Sequence, residues 1–226
     1  MGIVFGKIGV ECAAHDVLRQ LGPNLQLRRY HPSVLVETPC VGINGKENGD
    51  AFRRLAKYIG VFGDPKNEGK QSIAMTAPVV NSTTGEKIAM TAPVINATSA
   101  QGSKEGEQVA MTAPVVNTPG TMAFVLPSKY KSVEESPKPL DPLVTLRQLP
   151  ERDAAVLTFG GYASAAVVEK RARELADALN KEGIAPIHPP VCENHLPKYE
   201  VLRFNPPFTI SFLRTNEILM EISRQQ

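Results

Sequence analysis

The chain has 226 residues and a mass of 24.5 kDa, which is long enough to bury a substantial core without disulfides or a structural metal. Hydrophobic residues make up 42% and charged residues 21%, as in ordinary globular proteins, so a disordered or fibrous chain is excluded. The formal net charge is only +2 and the basic residues are scattered, so nucleic acid is not the expected partner. The unusual counts are 19 prolines and no tryptophan.

The cysteine pattern and the hydropathy indicate a cytoplasmic protein. Cys12, Cys40 and Cys192 are odd in number and widely spaced, unlike a disulfide framework. The first residues lack the charged and apolar regions of a signal peptide, and no run approaches the roughly 18 apolar residues that span a bilayer. We therefore expect no membrane span, and the sequence does not identify a protein partner.

The first half predicts two strands, a helix and two further strands. The first two strands cover residues 25–30 and 34–41. Asp50 is the predicted N-cap of the helix, and Gly60 is its predicted end. Helical spacing places four apolar residues on one face of this helix, namely Phe52, Leu55, Ala56 and Ile59. The cations Arg53, Arg54 and Lys57 face away from them. The remaining two strands are predicted around Ile73 and at 121–126.

A heptapeptide repeat interrupts this half. The sequence IAMTAPV at 73–79 recurs at 88–94 and, with an initial valine, at 109–115. The unit is too short and too irregularly spaced for a solenoid. Its alternating pattern predicts a half-buried strand whose proline lies at the strand end or at a sheet edge. The extra copies form an insertion at about 81–120.

The second half repeats the order of the first. Strands are predicted at 143–149 and 154–159, and again at 198–204 and 217–222. The helix between them begins at Ser164, ends at Gly183 and carries one apolar stripe, Val168, Ala172, Leu175 and Leu179. Two such units predict one duplicated α+β domain over residues 1–226, with mostly antiparallel pairing. Its halves cover about 24–126 and 143–222, joined by the proline-rich segment 127–142.

Several of these segments together resemble the SOUL heme-binding protein family. They are FRRLAKYIGVFG at 52–63, the IAMTAPV strand, MAFVLPSKY at 122–130, FGGYA at 159–163, NPPF at 205–208 and RTNEIL at 214–219. The resemblance covers about residues 24–222 and is greatest to the plant and green-lineage cytosolic branch. It implies a distorted antiparallel β-barrel flanked by two helices and built from two pseudo-symmetric halves.

The resemblance also implies reversible binding of heme or a related tetrapyrrole, for buffering, transport or sensing. In the animal relatives the tetrapyrrole lies against the first helix, and the lysine of their matching segment corresponds to Lys57. The implied binding residues are those of the helix, Phe52, Arg53, Arg54, Leu55, Ala56, Lys57 and Ile59. A second basic group of the relatives has no counterpart at 208–210, and no axial or other metal ligand is assigned.

Three alternatives stay open. Glu217 makes a tetrapyrrole-modifying enzyme conceivable, although the chain has no standard catalytic motif and we expect no enzyme. The repeats suggest a protein-interaction arm instead. Two C-x-x-H pairs, Cys12 with His15 and Cys192 with His195, offer four zinc ligands in an uncommon spacing, and chance accounts for them more simply.

Overall fold

The computed structural model describes residues 10–40, 46–82, 120–190, 195–205 and 209–224. In chain order the elements are β1 (His15–Gly22), β2 (Leu25–Tyr30), β3 (Ser33–Cys40), α1 (Lys46–Ile59), β4 (Val79–Ser82), β5 (Gly120–Val125), β6 (Thr145–Leu149), β7 (Arg152–Gly160), α2 (Ala165–Lys181), β8 (Glu200–Arg203) and β9 (Thr215–Glu221). A short 3-10 turn at Glu68–Lys70 follows α1, and another at Ser211–Leu213 precedes β9.

Most predicted elements are confirmed to within two residues. The structure differs from the prediction in one additional strand, in one predicted strand and in the start of one helix. β1 was not predicted, because its exposed residues lack a buried alternating face. The first heptapeptide copy is not a strand, since regular pairing begins only at Val79. α1 begins at Lys46, so Asp50 lies inside the helix and is not its N-cap. The second and third copies and most of the predicted insertion lie outside the described residues.

The nine strands form one antiparallel sheet in the order β1-β2-β7-β9-β8-β4-β5-β3-β6. The α+β class with two helices is thereby confirmed. The order has two ends, β1 and β6, so the described strands do not close into the expected barrel. In the middle of the order β4 of the first half pairs with β8 of the second half, with Val79 opposite Arg203.

Strand pairing crosses between the halves in a regular way. β2 pairs with β7 and β3 pairs with β6, so each half supplies a strand to the other. The strands β2, β3, β4 and β5 correspond to β6, β7, β8 and β9. If each strand is exchanged with its counterpart, the order from β2 to β6 is the same when read from the other end. A duplicated unit accounts for this order, and duplication stays a prediction.

The two faces of the sheet carry separate cores because side chains alternate along each strand. Val34 and Val36 pack towards α1, and Ile218 and Met220 pack towards α2. Leu35 and its neighbours form a third cluster on the face opposite the helices. We call this second surface the open face.

Candidate functional site

Helix α1 is held on β3 and β5 by an almost completely buried inner face. Ala51, Leu55, Ala56, Tyr58 and Ile59 are each exposed by 2% or less. Burying side chains of this size stabilises the fold by about 1.5–3 kcal/mol each for the larger ones. The inner face therefore fixes the position of α1 and leaves only its outer face for other contacts.

The C-terminal end of α1 is fixed by specific polar contacts. The Tyr58 hydroxyl donates to the carbonyl of Pro137 at 2.7 Å, and burial raises the pKa of this phenol, which stays protonated. Asn67 Nδ2 donates to the Tyr58 carbonyl at 2.7 Å. Gly60 ends the helix at φ 87°, where a Cβ would lie 2.6 Å from Pro65 Cγ. The chain can turn here only with glycine.

Three cations lie on or beside the outer face of α1. Arg53 pairs with Asp50 one turn earlier. Arg54 is half-buried; its Nη1 donates to Thr38 Oγ1 at 2.8 Å, and its Nε lies 3.6 Å from Asp141. Lys57 is exposed, and among the described residues its side chain has no ion-pair or hydrogen-bond partner. It is thus available to an external anion.

Exposed apolar side chains adjoin these cations. Val61 and Phe62 follow the end of α1 and are 48% and 59% exposed, while Leu140 and Leu143 are 59% and 50% exposed. Lys66 connects the two segments: its amide donates to the Lys57 carbonyl at 2.9 Å, and its carbonyl accepts from the Leu140 amide at 3.1 Å. We define the α1 surface as Arg53, Arg54, Lys57, Val61, Phe62, Leu140 and Leu143.

The sequence-predicted site residues fall into two groups. Arg53, Arg54 and Lys57 belong to the α1 surface, whereas Leu55, Ala56 and Ile59 lie beneath it in the core. Phe52 is half-buried and packs edge-on against Phe124, with ring centroids 5.4 Å apart. In this structure the three core residues reach a ligand only if α1 leaves the sheet, and their contact with a ligand stays a prediction.

Sequence reasoning missed the four exposed apolar residues of the α1 surface. Val61 and Phe62 stand directly after Gly60, and an apolar pair just past a helix end was the available signal. Leu140 belongs to the segment 127–142 that composition indicated as a connector, and Leu143 begins the predicted strand 143–149. The position of Leu140 depends on the tertiary hydrogen bond from its amide to the Lys66 carbonyl, which no local pattern shows.

Glu217 lies far from this surface, on the open face. Its two carboxylate oxygens accept from Arg28 at 2.9 and 3.0 Å, and Oε1 also accepts from the Thr158 hydroxyl at 3.1 Å. Both members of the pair are buried. The ion pair joins β9 to β2 across β7, so Glu217 holds these strands together.

Neither the histidines nor the cysteines assemble a metal site in the described part of the chain. His31 Nε2 lies 2.8 Å from Asp16, and the His15 ring packs 5.1 Å from Tyr30. Within the described ranges no group of three or more His, Cys, Asp or Glu side chains is placed to hold a metal ion. Cys12 is an exposed free thiol, and Cys192 of the possible zinc set lies outside the described residues.

The sequence segments quoted above lie in an α+β fold of one antiparallel sheet and two helices. The model of the SOUL heme-binding protein family matches the chain over residues 10–86 and 80–221. The chain belongs to this family, which implies heme or another tetrapyrrole as its ligand. No curated protein sequence matches the chain.

Solved structures with a similar fold share little sequence with the chain. The C-terminal domain of EcmrR has 10% identity and a TM-score of 0.51, covering 89% of this chain and 98% of that one. An uncharacterized conserved protein from Listeria innocua has 9% identity and a TM-score of 0.52, covering 88% and 92%. A hydrolase from Listeria innocua, with 9% identity, a TM-score of 0.50 and the same coverage, is similar in fold alone.

The residues of the α1 surface fit a tetrapyrrole. A flat macrocycle with two propionates needs exposed apolar area and cations. Lys57 and Arg54 supply cations, and exposed apolar side chains come from Val61, Phe62, Leu140 and Leu143. As defined, this surface contains no His, Cys or Met to ligate iron. For the described residues, neither helix is long and apolar enough to cross a membrane.

Proposed function

We propose that the protein reversibly binds heme or a related tetrapyrrole on the α1 surface and serves as a buffer or carrier for it. The observation that carries the proposal is that Lys57 is an exposed cation without a partner among the described residues. The apolar side chains of the same surface are about half exposed, and the chain belongs to the SOUL family. An open surface suits exchange of the ligand, because release requires no cavity to open.

Each part of the surface has a distinct role in the proposal. Lys57 pairs with one propionate, and Arg54 offers a second contact by exchanging its 3.6 Å pairing with Asp141. Val61 and Leu140 contact the ring, while Leu55, Ala56 and Ile59 hold the helix in place from beneath. Heme, when bound, supplies an iron centre, and the chain's own contribution is orientation of the ring and propionates.

Titration of the purified chain with hemin and with iron-free protoporphyrin IX tests the proposal. We expect a saturable Soret shift with one equivalent of hemin and a similar affinity for protoporphyrin, because the α1 surface offers no axial ligand. Weak, non-saturating association with both compounds would sink the proposal. Much tighter binding of hemin would instead place the site near an iron-ligating side chain and away from the α1 surface.

A buffering or carrier role requires exchange on a useful timescale. We expect bound hemin to pass completely to excess apomyoglobin, and a complex that fails to release it would exclude this role. We place the protein in the cytoplasm, as its cysteine usage and hydropathy indicate, and fractionation of cells followed by immunoblotting checks the location. Nucleic acid is not part of the proposal, given the scattered basic residues.

We infer that the halves 24–126 and 143–222 are duplicated units of one domain. The exchange-symmetric strand order and the pairing of β2 with β7 and of β3 with β6 support this. Because each half completes the sheet of the other, neither half is expected to fold alone. Circular dichroism of the two separately expressed halves tests this; a cooperative thermal transition in either one would contradict a single shared domain.

A tetrapyrrole-modifying enzyme using Glu217 is the alternative, and the buried pair with Arg28 favours a structural role instead. Glu217→Gln removes one charge and leaves Arg28 buried without its partner, so we expect a loss of about 3–5 kcal/mol in unfolding free energy. Hemin affinity at a temperature where the variant is folded should not change. A chromatographic product formed from hemin by the wild type and lost in Glu217→Gln would support the enzyme.

An interaction arm built from the repeats also stays a prediction, since its second and third copies lie outside the described residues. Deletion of residues 83–118 separates the roles. Unchanged hemin affinity with loss of a partner in pull-down would support docking, while loss of hemin affinity would move the tetrapyrrole site towards the repeats.

A further inference from the structure

Lys66 lies beside a short antiparallel bridge that joins the segment after α1 to the segment before β6. The bridge pairs Asn67 with Pro139. The Leu140 amide donates to the Lys66 carbonyl at 3.1 Å, so these two residues lie opposite each other at the next position of the bridge. The bridge therefore brings one cation of the first segment next to one exposed leucine of the second.

The Lys66 side chain lies on the outer side of this bridge. Asn67, the next residue, has extended backbone angles of φ −136° and ψ 162° and is 1% exposed. Its Nδ2 donates inwards to the Tyr58 carbonyl at 2.7 Å. Successive side chains of an extended segment point to opposite sides, so Lys66 points outwards, and both Lys66 and Leu140 are exposed.

The backbone of Lys66 is also fixed to the end of α1. Its amide donates to the Lys57 carbonyl at 2.9 Å. Pro65, the residue before it, is close enough to the turn at Gly60 that a Cβ on this glycine would lie 2.6 Å from Pro65 Cγ. Lys57 and Lys66 are therefore neighbours in the fold, and their long side chains extend from adjacent points of one surface.

Lys66 is uncommitted, whereas Arg54 is not. Over the described ranges, the Lys66 side chain has no ion-pair or hydrogen-bond partner. The Arg54 side chain is 26% exposed, donates to Thr38 Oγ1 at 2.8 Å and lies 3.6 Å from Asp141. A carboxylate that binds Arg54 must displace Asp141, whereas one that binds Lys66 displaces only water. Lys66 is therefore the more accessible second cation beside Lys57.

We propose that Lys66 is a second carboxylate-binding residue of the tetrapyrrole site, pairing with one carboxylate of the ligand while Lys57 pairs with the other. This inference rests on the proposed function and adds a residue to it. Leu140, opposite Lys66, then contacts the ring next to that carboxylate. The ligand class is a tetrapyrrole with two free carboxylates, because each ammonium group acts as a separate point charge.

Fluorescence titration of the full chain with iron-free protoporphyrin IX and with its dimethyl ester tests this inference. The ester carries the same ring without a charged carboxylate. Lys66→Gln should weaken binding of the free acid by about two- to fivefold, as expected for one exposed charge pair, and leave ester binding unchanged. Lys66→Arg keeps the charge and should retain the affinity. Equal losses for acid and ester would show a structural role and overturn the inference.

Lys138→Gln is the matched control, since it removes the same charge at the other end of the bridge. The Glu68 amide donates to the Lys138 carbonyl at 2.8 Å, so Lys138 lies opposite Glu68 rather than Leu140. We expect this variant to bind both compounds like the wild type. Equal losses of free-acid affinity in Lys66→Gln and Lys138→Gln would overturn the inference, because overall charge would then account for both.

Combining Lys57→Gln with Lys66→Gln tests whether the two lysines bind different carboxylates. The losses of free-acid affinity should then multiply. A double variant no weaker than Lys57→Gln alone would place both lysines on one carboxylate and overturn the inference. A loss in Lys57→Gln with none in Lys66→Gln would overturn it too and leave the proposed function standing. Absence of saturable binding by the wild type would overturn both.

Discussion

Helices α1 and α2 pack on the same side of the sheet in the same way and differ in what they show to solvent. Each buries an apolar stripe against its own pair of strands. On α2 four outward charges form pairs along the helix, Arg171 with Glu174 at 2.6 Å and Arg173 with Glu169 at 2.7 Å. On α1 the outward Lys57 has no partner among the described residues, and its neighbouring surface is apolar.

This difference separates architecture from function. An unpaired cation beside exposed apolar area suits an anionic, flat ligand, whereas a cation among other charged side chains, such as Lys170 of α2, offers it little. In our proposal α2 has a structural role, and α1 has a structural role and a binding role. α2 then serves as an internal control for every substitution made in α1.

The largest expected effect tests whether the two helices are equivalent as structural elements. Leu55 of α1 and Leu175 of α2 are both completely buried. Leu55→Ala and Leu175→Ala should each lower the unfolding free energy by about 2–5 kcal/mol, because each leaves a cavity in a packed core. Urea denaturation measures both.

The same pair of variants also tests the interpretation of Leu55 as core. Hemin affinity of folded Leu55→Ala and folded Leu175→Ala should match that of the wild type. If Leu55→Ala loses affinity while Leu175→Ala does not, then Leu55 contacts the ligand, as the family resemblance implies, and α1 moves on binding.

The second expected effect distinguishes the ends of the helices. Gly60 after α1 and Gly183 after α2 both have positive φ, 87° and 66°. A Cβ at Gly60 meets Pro65 at 2.6 Å, whereas nothing lies within 4 Å of a Cβ at Gly183. Gly183→Ala should cost about 1–2 kcal/mol from backbone strain. Gly60→Ala should cost about 1–3 kcal/mol more, from the clash.

Thermal or urea unfolding of the two alanine variants checks this order. Equal losses would show that the segment around Pro65 yields easily. In that case the position of Val61 and Phe62, which depends on the same turn, is less fixed than the structure indicates.

The sequence predicted α2 better than α1, for physical reasons. Ser164 caps α2, its hydroxyl accepting from the Val167 amide at 3.4 Å, and the stripe from Val168 to Leu179 is buried as expected. Cap, stripe and terminal glycine are all local signals. α1 begins at Lys46, four residues before the cap that the sequence predicted. That residue, Asp50, lies within the helix and pairs with Arg53.

Strand pairing and the α1 surface depend on contacts distant in sequence. The pairing of β2 with β7 brings Tyr30 opposite Arg152, which is far away in the sequence. Local hydrophobic periodicity cannot predict a pairing between such distant residues. The cations of α1 were predictable from helical spacing and resemblance, because both depend on neighbours in the chain. Leu140 was not, since its place beside α1 is set by a hydrogen bond across the fold, from its amide to the Lys66 carbonyl.

The smallest expected effect decides whether the difference between the helices is functional. Lys57→Glu reverses an exposed charge on α1, and Lys170→Glu reverses an exposed charge on α2. An exposed charge pair contributes little, so Lys57→Glu should weaken hemin binding by about three- to tenfold, and Lys170→Glu should leave it unchanged. Raising the salt concentration from about 0.01 M to 0.15 M should shrink the deficit, because screening shortens the reach of the charge to about 8 Å.

Unfolding measurements keep this test separate from stability, since neither lysine has a partner in the described structure and both variants should unfold like the wild type. An equal loss of hemin affinity in the two variants would show that only overall charge matters, which would remove the distinction between the helices. Loss in Lys57→Glu alone, relieved by salt, would place a propionate at α1, because the two substitutions change the net charge equally and lie on different helices.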